Sequence, residues 1–112
     1  MKLSIALVIG HTSKKKGAYS KHLNMYEFDF FSKVAELVED VDVYKHDSSI
    51  GGYVTRQKAM AKQLNTKNYD LVIELHFNSF FDAEANGWET LYYWKSKQGK
   101  DFANLFSEVV ND

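Results

Sequence analysis

Apolar residues fall in short runs divided by polar stretches, and the spacing within the runs changes along the chain. Leu3-Ser-Ile-Ala-Leu-Val-Ile9 is nearly continuous, and so is the apolar part of Asp70-Leu-Val-Ile-Glu-Leu-His-Phe-Asn-Ser79. Apolar runs this short, bounded by polar residues, read as buried strands. Val41-Asp-Val-Tyr44 alternates and predicts another strand, with Lys45-His-Asp47 at its end. Trp88-Glu-Thr-Leu-Tyr-Tyr-Trp94, rich in aromatic residues, predicts a fourth.

Between these runs the period lengthens to that of a helix. Phe30, Phe31, Val34, Leu37, Val38 and Val41 predict a helix from about Met25 to Glu39. Asn24 is placed to cap it, and Glu27, three residues on, completes a capping-box-like pair. A second helix is expected over about Val54–Leu64, carrying Ala59, Met60, Gln63 and Leu64. Ser96 caps a third, in which Phe102, Leu105, Phe106, Val109 and Val110 recur at i, i+3, i+4, i+7 and i+8.

Strands alternating with helices predict an α/β, three-layer fold: a mostly parallel or mixed sheet of about four strands flanked by helices. No repeat, low-complexity tract or Pro/Ser-rich linker interrupts the 112 residues, so 1–112 is expected to form a single domain. Hydrophobic residues make up 45% and charged residues 26%, a globular balance that argues against disorder. A formal net charge of -1 offers no global basic field for nucleic acid or an anionic membrane. No run approaches the ~20 apolar residues of a membrane span. Met1-Lys2 and the apolar run after it lack the small-residue cleavage site of a signal peptide, so synthesis in the cytoplasm is expected. Lys14-Lys-Lys16 reads as a solvated loop face.

Cysteine is absent, which removes disulfides, thiolate metal sites and cysteine nucleophiles. A transition-metal site here has to use His, Asp and Glu. Open α/β sheets bind ligands at the carboxyl ends of their strands. His11 follows Gly10 at the end of the first strand, and His76 ends the Leu71–Leu75 run. Glu27 opens the first helix, which faces the same edge. His11, Glu27 and His76 therefore form a candidate His₂Glu metal set of the kind zinc hydrolases use. Each also has an ordinary role to play: a turn residue, half of a capping box with Asn24, a hydrogen-bonded core histidine. His46 ends another strand and competes as a ligand, whereas His22 sits in a polar loop and reads as solvated.

These residues resemble the zinc-dependent N-acetylmuramoyl-L-alanine amidases, in particular the catalytic domains of phage endolysins. The resemblance is carried in order by Gly10-His11, Gly17-Ala18, Asn24-x-x-Glu27, Asp70-Leu-Val-Ile-Glu-Leu-His76-Phe-Asn78-Ser79 and Gly87-Trp-Glu-Thr-Leu-Tyr-Tyr93, with Arg56 and Asn65 around the second helix. It implies zinc held by His11, Glu27 and His76, a bacterial peptidoglycan substrate cut at the amide between N-acetylmuramic acid and L-alanine, and Asn78 as a substrate contact. It also implies action on the cell wall. The family places a catalytic glutamate on a strand beyond the helix with which this chain ends. The resemblance thus implies an amidase-like domain incomplete at its C-terminus, with an exposed sheet edge open to association. Glu74 shares strand parity with His76, and Glu89 follows Gly87, but neither is assigned the catalytic role, which is left open. The alternative function is a non-catalytic module that binds peptidoglycan or a partner, to which Tyr19, Tyr26, Trp88 and Trp94 would offer stacking surfaces.

Overall fold

The computed structural model of the chain describes residues 2–77 and 89–111. In chain order these form β1 (Ile5–Ile9), β2 (Tyr19–Ser20), β3 (Met25–Tyr26), α1 (Glu27–Glu36), β4 (Asp42–Lys45), α2 (Tyr53–Leu64), β5 (Leu71–Leu75) and α3 (Lys97–Asn111). The α/β class holds, as a parallel three-stranded sheet of order β4-β1-β5 and a separate antiparallel ribbon of β2 and β3. Val8 of β1 lies between Tyr44 of β4 and Glu74 of β5, and Ile9 lies between Lys45 and Leu75.

The central position of β1 explains its unbroken apolar run. Both of its faces are covered, and Ala6, Leu7, Val8 and Ile9 are all buried. Alternation sends Leu7 and Ile9 to one face, where they pack with Phe28 and Ala35 of α1, flanked by Phe31, Val41, Ile73 and Leu75. Ala6 and Val8 take the opposite face. The outer strands are half exposed by comparison, with Val43 and Val72 open to solvent. No described helix is long and apolar enough to cross a membrane.

The chain divides into two compact units, Met1–Ser79 with both sheets, α1 and α2, and Phe80–Asp112 with α3. In the second unit Ser96 does cap α3, its Oγ accepting the Gly99 N–H at 2.9 Å. The fourth strand expected over Trp88–Trp94 is not formed over its described part. Residues 89–94 join no ladder among the described residues, and Tyr93 instead accepts the Ser96 N–H at 2.8 Å in a turn leading to α3. Aromatic strand propensity expresses itself only against a pleated partner. Trp88 lies outside the described residues.

Helix α1 also departs from expectation at both ends. Met25 and Tyr26 pair with Ser20 and Tyr19 instead of entering the helix, and Asn24 adopts a left-handed φ of 53° with its side chain held by the Tyr19 hydroxyl. Asn24 therefore caps nothing. At the other end, the Leu37 and Val38 N–H groups bond back three residues to Val34 and Ala35, and the chain leaves through Asp40 at φ 61°. Leu37 and Val38 fit the helical period yet stay exposed.

Candidate metal centre

The first turn of α1 has to satisfy its leading N–H groups, and here the backbone does it. Glu27 N–H donates to the Ala18 carbonyl at 2.8 Å, and Phe28 N–H to the Lys16 carbonyl at 3.1 Å. The loop that delivers these carbonyls is folded by Thr12, buried, whose Oγ1 accepts the Lys15 N–H at 2.9 Å. With the helix start supplied by main chain, the Glu27 carboxylate has no capping duty and turns inward.

Glu27 is 3% exposed and its two oxygens are held separately. Oε1 accepts the Ala18 N–H at 2.8 Å, and Oε2 accepts the Phe77 N–H at 2.9 Å. Two histidine rings face the same carboxylate: His11 Nε2 lies 3.0 Å from Oε1 and His76 Nδ1 lies 3.6 Å from Oε2. The rings meet edge-to-face with centroids 5.3 Å apart. One ligand atom from each of His11, Glu27 and His76 lies within 4.8 Å of the other two. The structure thus brings together the three residues singled out in the sequence. Both histidine side chains are about one-third exposed, so the cluster has a buried floor and a solvent-facing side.

Two glycines make room for it. A Cβ on Gly17 would lie 2.4 Å from Glu27 Oε1 and 2.5 Å from His11 Cδ2, and its φ of +79° disfavours any side chain. A Cβ on Gly10 would lie 2.4 Å from His76 Cε1 and 2.5 Å from Nδ1. His11 itself adopts φ 68°, which turns the chain sharply after β1 and swings its ring over Glu27. This donor set fits a divalent transition metal: two imidazoles and one buried carboxylate, with a cradle that only glycine leaves open.

His46, the rival ligand, is elsewhere. It is buried at the end of β4, with Nε2 2.7 Å from Glu74 Oε1. Glu74 Oε2 in turn lies 3.0 Å from His76 Nε2, the ring nitrogen turned away from Glu27. Burial works to raise the Glu74 pKa, but hydrogen bonds to His76 and His46, with their charges, overcome it and hold the carboxyl at about 2. The same hydrogen bond to Glu74 raises the His76 pKa above the ordinary histidine value against the opposing effect of burial, and the Glu74 and Glu27 charges add to it. Sequence reasoning missed this pairing. The available signal was the i, i+2 parity of Glu74 and His76, but the partner His46 enters only through the strand order.

His22 is exposed, as its polar neighbours suggest. Asn78, Ser79 and Gly87 lie outside the described residues. An open groove of about 640 Å³ runs beside the β2–β3 ribbon and α1, lined by Lys16, Tyr19, Tyr26, Phe28 and Lys45 among others, and contains none of the three clustered residues.

No curated protein and no solved structure shows significant similarity to the chain. The family model for N-acetylmuramoyl-L-alanine amidase, however, matches residues 5–112, a span that takes in every element from β1 to α3, and the chain belongs to that family.

Proposed function

We propose that this chain is a zinc-dependent peptidoglycan amidase that hydrolyses the bond between N-acetylmuramic acid and L-alanine, with zinc held by His11, Glu27 and His76. The observation that carries the proposal is the convergence of two imidazoles on one buried, doubly hydrogen-bonded carboxylate at the carboxyl edge of the sheet, in a member of this family. Zinc bound there would polarise the scissile carbonyl and lower the pKa of a bound water toward neutrality.

The residues of the chain supply the rest. Glu27 offsets part of the charge of a dication, and its two backbone N–H donors fix which lone pairs face the site. The Gly10 and Gly17 approaches keep the rings close to the carboxylate. His11 and His76 form the exposed side, which leaves substrate an approach from solvent. Asn78, two residues past His76, is retained as a proposed substrate contact. The general base is not assigned to any residue.

Metal analysis of the purified chain, in parallel with Glu27→Ala and His46→Ala variants, tests the proposal. The expected result is one zinc per chain in the wild type, lost in Glu27→Ala and kept in His46→Ala, together with release from purified walls of stem peptides that carry a free L-alanine amino terminus. A wild-type chain that takes up no zinc on supplementation overturns it.

A further inference from the structure

We infer that Glu74 is a positioning residue for His76: spanning the sheet from β5 to β4, it is gripped by His46 at one oxygen and orients the His76 ring with the other. The inference rests on the proposed role of His11, Glu27 and His76 as metal ligands. It adds two residues outside that set, and it follows from the strand order.

Strands β4 and β5 are not neighbours, because β1 lies between them. Their axes are therefore separated by two strand spacings, roughly 9–10 Å. Alternation puts Val8, Tyr44 and Glu74 on one face of the sheet in register. One step on, past the last paired residues, come Gly10 on β1, His46 beyond β4 and His76 beyond β5. A side chain at Gly10 would occupy the space of the His76 ring, with the contact at 2.4 Å. Glycine leaves the middle of this face open at its carboxyl end, so a glutamate and a histidine from the two outer strands meet across it at 2.7 Å.

The hydrogen-bonding capacity of the three groups then fixes their orientation. His46 Nδ1 is buried with no hydrogen-bond partner among the described residues. A bare lone pair is tolerated there better than an orphaned N–H, which places the ring proton on Nε2, donating to Glu74 Oε1. Glu74 Oε2 remains to accept from His76 Nε2 at 3.0 Å. With its proton on Nε2, neutral His76 presents the Nδ1 lone pair toward Glu27, the direction in which a ligand must point. A carboxylate behind a metal-binding histidine fixes the tautomer and ring angle and raises the basicity of the ligand. Here the carboxylate is itself fixed by a second, buried histidine.

The test uses the full chain and three variants, Glu74→Ala, Glu74→Gln and His46→Leu, with zinc and cobalt(II) as probes. Chelator competition should show affinity weakened about 10- to 100-fold in Glu74→Ala, as for loss of such a supporting carboxylate elsewhere. The loss should be smaller in Glu74→Gln, whose carbonyl can still accept from His76. The visible spectrum of bound cobalt should shift in Glu74→Ala and, less so, in His46→Leu, because ligand orientation changes. In metal-free protein the slowly exchanging His76 ring N–H proton, seen by NMR, should be present in the wild type and lost in Glu74→Ala. If Glu74→Ala does not fold, Glu74→Gln carries the same comparison. A wild type that binds no metal overturns the metal proposal and this inference with it. A wild type that binds, with Glu74→Ala equal in affinity and cobalt spectrum, overturns this inference alone.

Discussion

Both ends of the parallel sheet are lined with carboxylates in hydrogen bonds, yet only the carboxyl end gathers them with histidines around buried groups. At the amino end, the Asp70 carboxylate accepts the Ser4 N–H at 2.8 Å, and Asp42 accepts from the Tyr69 hydroxyl and from Lys67. The hydrogen bonds from Tyr69 and Lys67 lower the Asp42 pKa, but the side chain is about half exposed and water can replace either partner. At the carboxyl end Glu27 and Glu74 sit among His11, His46 and His76, with Glu27 and His46 buried. There a partner lost from Glu27 or His46 leaves a buried polar group stranded without solvent. The difference teaches that residue type is not what distinguishes the two ends. Exclusion of water from Glu27 and His46, and a backbone that approaches closely enough to enforce it, gathers one set of acids and bases into a candidate site and leaves the other a surface.

The strongest way to break the comparison is to crowd the carboxyl end. Gly17→Ala should destabilise the fold by about 2–4 kcal/mol, combining a left-handed φ with overpacking against Glu27 and His11, and should abolish metal uptake. Gly51→Ala, where an added Cβ meets nothing within 4 Å among the described residues, is the matched control and should leave the melting midpoint in place. Equal midpoints for the two variants would mean that the glycine cradle is not needed.

Next in size is Glu27→Gln. A buried amide must turn its NH₂ toward a backbone N–H or a histidine, so unfolding free energy should fall by about 1–3 kcal/mol even without metal. Chemical denaturation of metal-free protein gives this directly. A change near zero would show that the two N–H groups find other acceptors.

A smaller effect appears in pH dependence. Glu74 has a folded pKa near 2 against 4.5 in the unfolded chain, so over that window the unfolded state binds more protons and stability rises with pH. The stabilisation is complete above about pH 4.5 and is lost as pH falls toward 2. Denaturation of metal-free Glu74→Gln across this range should show a flatter slope than the wild type, and a parallel slope would remove Glu74 from the account. The least effect is expected at the amino end, where Asp42→Asn should leave both the melting midpoint and the metal affinity unchanged. A clear loss in either would erase the distinction between the two ends.

Much of the site was legible in the sequence because its residues sit where periodicity stops. The apolar run of β1 is continuous because that strand is buried between two others, whereas β5, read as a buried strand, is half exposed with Val72 open to solvent; the polar residues that end both runs mark the carboxyl edge. Glu27 was legible as a helix start but ambiguous in role. Whether it caps or turns inward depends on the carbonyls of Lys16 and Ala18, which local sequence does not place. The β2–β3 ribbon left no signal, since two-residue strands have no period. The aromatic run expected to form a fourth strand shows the converse error, a propensity read without its partner. The Glu74–His46 contact is purely tertiary, created by β1 lying between two strands whose ends then reach across a glycine.

The hydrogen bond from Phe77 to Glu27 joins residues fifty apart in the chain. His11 and Glu27 are brought within reach by the first loop and helix alone, but His76, Phe77 and Glu74 arrive only when β5 docks on β1. Contacts of such long sequence separation form late and slowly during folding. A chain halted before β5 therefore holds two of the three proposed ligands, and an ion bound by the full set would draw the equilibrium toward the docked strand by mass action. On the proposed metal reading, occupancy of this edge would report that β5 is docked on β1.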